Sequence, residues 1–163
     1  MSESYHINVY RREGRLWVGA SVPGPVAHHS VDDLYPADFS VEGLTRALTL
    51  ADQRAHEEMK ILPWSERCRD TKGFWLAAGC KTWRKFLRGL TGCNIARDAE
   101  ETEVLYVAPD PKYPGGLSGT GFKEHYPANI SYEELAPIVL RIFATFPPDA
   151  QVPIAKANPK PLP

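Results

Sequence analysis

Residues 6–22 carry the pattern of a β-hairpin. Polar and apolar side chains alternate over residues 6–10, a glycine-containing turn occupies residues 12–15, and residues 16–22 return as a second strand. Alternation with a period of two on both sides of a short turn is typical of antiparallel strands. Pro23 ends the second strand because proline cannot donate a hydrogen bond to a neighbouring strand. The start of the chain is therefore expected to form part of an antiparallel sheet.

A second hairpin is predicted at residues 93–108. Its two strands are residues 93–97 and 102–108, and an acidic turn connects them. Residues 104–107 are all apolar or aromatic, so we expect this strand to be central and covered on both faces.

Two further strands are predicted from short apolar segments. One is residues 74–78, and the other is residues 122–126, which follow a glycine-rich segment at residues 115–121. We interpret the glycine-rich segment as a flexible loop, since glycine runs most often serve backbone geometry. It does not match a phosphate-binding loop, because Phe122 stands where that motif requires lysine.

Three helices are predicted. The first begins after the N-cap residue Ser40 and ends near residues 56–59, because Pro63 bars its continuation. A short helix is predicted at residues 82–88. The last helix begins with the capping box Ser131-Tyr-Glu-Glu134, and its wide apolar face marks it as a core helix.

These elements predict an α+β fold made of a single domain over residues 1–146. We expect a mostly antiparallel sheet of about five or six strands, packed against two main helices and one short helix. A chain of 163 residues is long enough to bury one substantial core, and a second domain would be cramped. Residues 147–163 hold six of the fifteen prolines, so we expect a proline-rich flexible tail there.

The net charge of −1 disfavours a dedicated nucleic-acid-binding protein, because such domains are usually strongly basic. Electrostatic specificity must then come from local patches, and the sequence has a basic one before residue 88 and an acidic one at residues 98–103. The N-terminus lacks the basic flank and apolar run of a secretory signal, and no stretch is apolar enough to span a bilayer. We therefore expect a cytoplasmic protein with no membrane partner.

No catalytic, cofactor-binding or metal-binding signature is recognisable. Cys68, Cys80 and Cys93 form no C-x-x-C pair, which favours free thiols over a disulfide framework or a zinc site. Cys80 is the best candidate for a nucleophile, because it precedes Lys81 at the start of a predicted helix. No histidine can be assigned to it as a base, so a cysteine-dependent hydrolase or transferase is the least favoured alternative. The histidines, His125 included, have no ligand-type neighbours at known metal spacing, and we predict no metal and no cofactor.

The predicted short helix presents a basic face. Its cations are Lys81, Arg84, Lys85 and Arg88. Beside the nearby tryptophans these side chains could hold phosphates and stack bases, which makes a nucleic-acid-binding module the main alternative function. We favour the interpretation that these cations form a solvated face and that the aromatic side chains beneath them are buried. We therefore do not expect nucleic acid as a partner.

The turn of the second hairpin is a cluster of four acidic residues. They are Asp98, Glu100, Glu101 and Glu103. Charged side chains at such a position can simply keep a sheet edge soluble. Four carboxylates within six residues also repel one another, and a basic partner surface would relieve that repulsion. The two interpretations are equally favoured by the sequence.

Three stretches are similar in order and pattern to a known family. They are Ser40-Val-Glu-Gly-Leu-Thr-Arg-Ala-Leu, then Gly79-Cys-Lys-Thr-Trp-Arg-Lys-Phe leading into the strands at Ile95 and residues 104–107, and then Gly121-Phe122 leading to Ser131-Tyr-Glu-Glu-Leu. Together they cover about residues 38–146. In this order the chain resembles the immunity proteins of contact-dependent growth inhibition systems (CdiI-type).

The resemblance implies a small α+β protein that is not an enzyme. Such a protein would bind one cognate toxin domain, the C-terminal part of a large secreted protein, in a one-to-one complex, and would block its active site or substrate surface. Toxins of that system are often nucleases, whose basic grooves an acidic surface can mimic. No family contact can be carried over residue by residue. We therefore take the four acids as the partner-binding surface, with Trp64 or Tyr113 as aromatic anchors.

Overall fold

A computed structural model describes residues 4–25, 28–67, 73–112 and 115–148. Seven strands form one sheet in which all neighbours are antiparallel. The strands are β1 (Tyr5–Arg12), β2 (Arg15–Val22), β3 (His29–Ser30), β4 (Tyr35–Ala37), β5 (Thr91–Arg97), β6 (Glu101–Pro109) and β7 (Leu117–Pro127). Their spatial order is β3-β2-β1-β5-β6-β7, and β4 also pairs with β2. The predicted α+β architecture with an antiparallel sheet is confirmed.

Three α-helices accompany the sheet: α1 (Val41–Ile61), α2 (Trp83–Leu87) and α3 (Tyr132–Thr145). The predicted N-caps Ser40 and Ser131 are confirmed, and Thr82 caps α2: each of the three side chains accepts a hydrogen bond from a backbone N–H of the first turn. Two short 3₁₀ helices, Trp64–Glu66 and Phe74–Ala78, lie between α1 and α2. No helix of the described residues combines the length and apolar character needed to cross a membrane.

The main core lies between one face of the sheet and the helices α1 and α3. Alternate residues of the strands are buried there, among them Ile7, Val18, Ile95 and Tyr106. The apolar stripe of α1 and the apolar face of α3 complete this core. Because strand side chains alternate, every second residue of the same strands lies on the opposite face of the sheet.

A second, smaller core covers only part of that opposite face. It is an aromatic cluster built by the segment at residues 73–90 against β1, and Phe74, Phe86 and Tyr10 are buried in it. The ring centroids of Tyr10 and Phe86 are 5.4 Å apart with a T-shaped geometry. The rest of the face is left open, and it is the part that carries polar side chains.

The prediction of a strand at residues 74–78 is wrong, because these residues form a 3₁₀ helix. Glycines with positive φ bracket it, at 102° for Gly73 and 74° for Gly79. The apolar run is buried through the ring of Phe74, which packs against Tyr10, Trp83 and Phe86, and not through pairing with a strand. A run of five apolar residues does not reveal whether it will be buried as a paired strand or as a short helix that packs through one side chain.

The prediction of a flexible loop over residues 115–121 is also wrong, because β7 begins at Leu117. The register between β6 and β7 shifts near Leu105, and the irregularity accommodates the glycines. Gly121 has a φ of 93°, and the Thr120 hydroxyl donates to the Tyr106 carbonyl oxygen at 3.1 Å. The glycines thus shape a bulged edge strand.

Three smaller expectations also need correction. The helix α1 ends at Ile61, a turn closer to Pro63 than predicted. Leu105 and Val107 are only partly buried, so β6 is fully covered on one face and not on both. The sheet has seven strands because the two short strands β3 and β4 join it. The proline-rich tail stays a prediction, since residues 149–163 lie outside the described residues.

Candidate functional site

The turn between β5 and β6 is organised by Asp98. Its carboxylate oxygen Oδ1 accepts hydrogen bonds from the backbone N–H groups of Glu100 at 2.8 Å and Glu101 at 2.9 Å. These two hydrogen bonds lower the pKa of the Asp98 carboxyl group. The Asp98 carboxylate therefore has a structural role in the turn, which the sequence analysis did not anticipate.

Glu101 and Glu103 lie two residues apart on β6 and share the open face of the sheet. The register places His125 of β7 directly opposite Glu103. The His125 Nδ1 atom lies 3.1 Å from a Glu101 carboxylate oxygen, and its Nε2 atom lies 3.8 Å from a Glu103 oxygen. The Lys123 Nζ atom is 3.7 Å from the same Glu103 oxygen. Two of the four acids thus have basic neighbours within the chain.

The same arrangement could hold a divalent cation. Glu101, Glu103 and His125 each offer one ligand atom, and the three atoms lie within 4.8 Å of one another. Spacing along the sequence gave no sign of these neighbours of His125. Two strands that are separate in sequence bring these side chains together, and only the β6–β7 register could reveal it. The hydrogen bond between His125 and Glu101 and the ion pair between Lys123 and Glu103 account for this arrangement without a metal.

Glu100 differs from its acidic neighbours. It is exposed at the tip of the turn, and its carboxylate forms no ion pair with any other described residue. Unlike Glu101 and Glu103, it has no basic neighbour among the described residues, so a partner could bind it without displacing an internal contact.

The structure describes one of the two predicted aromatic anchors. Trp64 is 52% exposed in the 3₁₀ helix that follows α1. Arg67 ties this segment to the end of β2 by donating to the carbonyl oxygen of Pro23 at 3.4 Å. Since β2 ends beside the start of β1, Trp64 lies at the same end of the sheet as the β5–β6 turn, on the β2 side. Tyr113 lies outside the described residues.

A polar cleft of about 330 Å³ crosses the open face of the sheet, between the end with the β5–β6 turn and the aromatic cluster. A chain of hydrogen bonds lines it: the Asn94 amide donates to Asn8 at 2.7 Å, and the Asn8 amide donates to Ser21 at 3.1 Å. Trp83 and Leu105 contribute an apolar side. The cleft could not be predicted from the sequence, because its polar residues come from three strands that pair only in the folded chain.

Two histidines stack at one end of the polar cleft. The rings of His6 and His28 have centroids 4.0 Å apart and are nearly parallel. The burial of His6, together with the proximity of His28, lowers the pKa of His6 to about 4. The Asn94 amide nitrogen lies 3.4 Å from Nδ1 of His6, a geometry that suits a neutral imidazole accepting from the amide. His6 is therefore neutral near pH 7.

The basic side chains of α2 lie at the other end of the sheet. Arg12 ends β1, and its guanidinium donates to the carbonyl oxygen of Lys85 at 3.4 Å. The strand β1 begins with Tyr5 beside Arg97, next to the acidic turn. At about 3.3 Å per residue, the eight residues of β1 separate the two charged regions by about 25 Å. The molecule is thus acidic at one end of the sheet and basic at the other.

Cys80 is buried, with 5% of its surface exposed. Its thiol lies 3.8 Å from the carbonyl oxygen of Ala78, and no hydrogen bond links it to a histidine among the described residues. Cys93 is buried in the main core, where burial raises the pKa of its thiol. Within the described ranges, no histidine is hydrogen-bonded to either thiol as the base that nucleophilic catalysis needs.

The fold defines a class of single-sheet α+β proteins with both long helices on one face. Several solved structures are similar to the chain, among them the following two. One is a chain of the CdiA-CT/CdiI toxin and immunity complex from Yersinia pseudotuberculosis, with a TM-score of 0.56 and 14% identity over 88% of this chain and 97% of that one. The other is a protein of unknown function from Neisseria meningitidis, with a TM-score of 0.57 and 15% identity over 86% of this chain and 93% of that one.

No protein-family model matches the sequence, and no curated protein is significantly similar to it. At 14% and 15% identity, the two structural likenesses show a shared fold. They extend over nearly the whole length of both compared chains, so the entire domain is shared and not one motif. The residues that contact a partner are not shown by such a likeness.

Proposed function

We propose that this protein is an immunity protein that binds one cognate toxin domain and neutralises it without catalysing a reaction. The observation that carries the proposal is the fold shared with a chain of the Yersinia pseudotuberculosis toxin and immunity complex. The partner would be the C-terminal toxin domain of a large secreted protein. The two proteins would meet one to one in the cytoplasm.

The acidic turn is the proposed contact surface. Glu100 offers an exposed carboxylate without an internal ion pair. The carboxylates of Glu101 and Glu103 are partly exposed, at 49% and 30% of their side-chain surfaces, so Lys or Arg from a partner could compete with His125 for them. A toxin that cleaves nucleic acid has a basic groove, and this surface would fit such a groove by charge.

An aromatic anchor would add affinity that charge alone does not supply. Trp64 is exposed at the same end of the sheet as the acidic turn. Exposed tryptophans are frequent centres of binding energy in protein interfaces. Tyr113 is the second proposed anchor. An interface that includes Trp64 would span the end of the sheet from β2 to β6.

The first experiment identifies the partner. The toxin domain encoded next to this chain would be co-expressed with it, and the complex would be isolated and its mass measured. The expected result is a stable one-to-one complex and rescue of cell growth from the toxin. A toxin that neither binds this protein nor is neutralised by it would refute the immunity function.

The second experiment tests the surface. The double substitution Glu100→Lys with Glu101→Lys should slow association with the toxin by about tenfold at low salt, because charge pairs at an interface mainly raise the association rate. The matched control is Glu13→Lys with Glu42→Lys, a reversal of two exposed acids at the opposite end of the sheet. If the double variant associates and neutralises as the natural protein does, the acidic turn is not the contact surface, although the immunity function could still hold.

A further inference from the structure

An open cleft of about 770 Å³ lies at the basic end of the sheet, between the β1–β2 turn and α2. This volume is in the range of ligand sites, about 300–1,000 Å³. Three cations line it: Arg12, Lys85 and Arg88. Gly79 and Gly89 also line it, and no other atom lies within 4 Å of where a side chain would begin at either one, so the backbone there is accessible.

The positive charge of this cleft is not balanced by the protein itself. Lys85 and Arg88 are exposed and form no ion pair with any other residue in the described ranges. The same holds for Lys81 and Arg84 on the same short segment. The one acid that lines the cleft is Glu13, whose carboxylate lies 3.0 Å from the guanidinium of Arg12 and whose side chain is 74% exposed. An anionic ligand could displace so exposed a carboxylate.

Arg12 is the cation of the cleft that is held most firmly by the protein. Its side chain is mostly buried, at 16% exposure, and its Nε–H group has no hydrogen-bond acceptor among the described residues. A buried donor without an acceptor is costly, and such groups are uncommon in folded proteins. The Nε atom itself is shielded from solvent, so a phosphate in the cleft would bind the terminal N–H groups of the guanidinium, in place of the exposed Glu13 carboxylate.

We propose that this cleft binds the phosphate backbone of a single-stranded nucleic acid, with one phosphate held by Arg12 and neighbouring phosphates by Lys85 and Arg88. A strand is the ligand that the charges favour, since Lys81 and Arg84 extend the basic surface beyond the cleft and a single phosphate would need fewer cations. The site is about 25 Å from the acidic turn, as the length of β1 indicates, and is independent of the proposed immunity function.

The test is a fluorescence-anisotropy titration of the full chain with a labelled single-stranded RNA of about twelve nucleotides, at several salt concentrations. Binding is expected at low salt, with an affinity that falls steeply as salt rises. Lys85→Glu with Arg88→Glu should weaken binding at least about tenfold and make the salt dependence shallower by about one unit per lost cation. Arg46→Glu with Lys60→Glu, a matched reversal of two cations on α1, should leave binding unchanged.

The variant Arg12→Lys distinguishes a phosphate that is hydrogen-bonded to Arg12 from non-specific electrostatic attraction to the basic surface. It keeps the charge but removes the planar guanidinium with its two terminal donors, so binding should weaken several-fold while far-ultraviolet circular dichroism stays that of the natural protein. The proposal is overturned if the RNA does not bind at low salt, if both double reversals weaken binding equally, or if Arg12→Lys binds as tightly as the natural protein. The proposal is also overturned if inorganic phosphate displaces the labelled RNA as well as unlabelled RNA does at the same concentration of phosphate groups. The ligand would then be a free anion and not a strand.

Discussion

The guanidinium of Arg11 donates a hydrogen bond of 2.6 Å to the carbonyl oxygen of Phe143, in the last turn of α3. The same side chain donates to the carbonyl oxygens of Phe146 and Pro147, each at 3.1 Å. A helix end leaves carbonyl groups without partners inside the helix, and Arg11 supplies donors and a positive charge to them. This buried residue therefore joins β1 to the end of the closing helix.

Arg11→Lys should lower the free energy of unfolding by about 2–4 kcal/mol, because one ammonium group cannot replace the five hydrogen bonds of the guanidinium in a buried site. Urea denaturation followed by tryptophan fluorescence measures the change. The control is Arg15→Lys, an exposed residue on the neighbouring strand, which should change stability by less than about 0.5 kcal/mol. Equal stability of Arg11→Lys and the natural protein would contradict the role of Arg11 at the helix end.

Gly92→Ala should destabilise the sheet by about 1–3 kcal/mol, the usual cost of overpacking. A Cβ atom at this position would lie 2.8 Å from the carbonyl oxygen of Val9, and this backbone atom belongs to the paired strand β1 and cannot move aside. Gly119→Ala on β7 is the matched control, since its Cβ would meet only the Leu105 side chain at an ordinary 3.4 Å. Thermal unfolding of the two variants should separate them clearly, and similar melting temperatures would refute the close approach at Gly92.

Stability should fall as the pH is lowered from 6.5 to 4, because of His6. The pKa of His6 is about 4 in the folded protein, below its ordinary value of 6.5, so over this interval the unfolded chain binds a proton that the folded protein does not. The contribution is fully present above pH 6.5 and is lost as the pH falls towards 4. Because the ring is only partly buried, we expect about 1–2 kcal/mol after solvent screening is taken into account.

The variant His6→Asn separates this effect from the titration of the carboxylates. Urea denaturation at pH 7 and pH 5 gives the difference in unfolding free energy for each protein. The natural protein should lose more stability between the two values than His6→Asn does. If both lose the same amount, His6 does not remain neutral in the folded state over this range.

Cys80 and Cys93 should react slowly with iodoacetamide in the folded protein. Both side chains are buried, at 5% and 1% exposure, and burial raises the pKa of the Cys93 thiol. In a Cys68→Ser background, alkylation at pH 7.5 should be at least about tenfold slower in buffer than in urea. Fast labelling of Cys80 in the native protein would instead support the cysteine-dependent hydrolase or transferase.

The local elements of the fold could be predicted because their signals lie close together in sequence. The capping box at Ser131 and the N-cap at Ser40 involve residues within one helical turn, and the hairpins depend on neighbouring strands joined by short turns. Residues 74–78 and the glycine-rich segment could not be predicted in the same way. Their conformations depend on an aromatic cluster and on a bulge against β6, which are contacts between distant parts of the chain.

The candidate sites also combine features that are local in sequence with features that depend on distant contacts. The sequence by itself determined that four carboxylates lie at or beside a hairpin turn and that four cations lie on one short segment around α2, because each set lies within eight residues. The tertiary structure alone decided which of these charges are already paired. The β6–β7 register brings His125 to Glu101 and Glu103, and the meeting of β1 with α2 brings Arg12 to the basic cleft. Register and packing are set by the whole core, so no local pattern could reveal them.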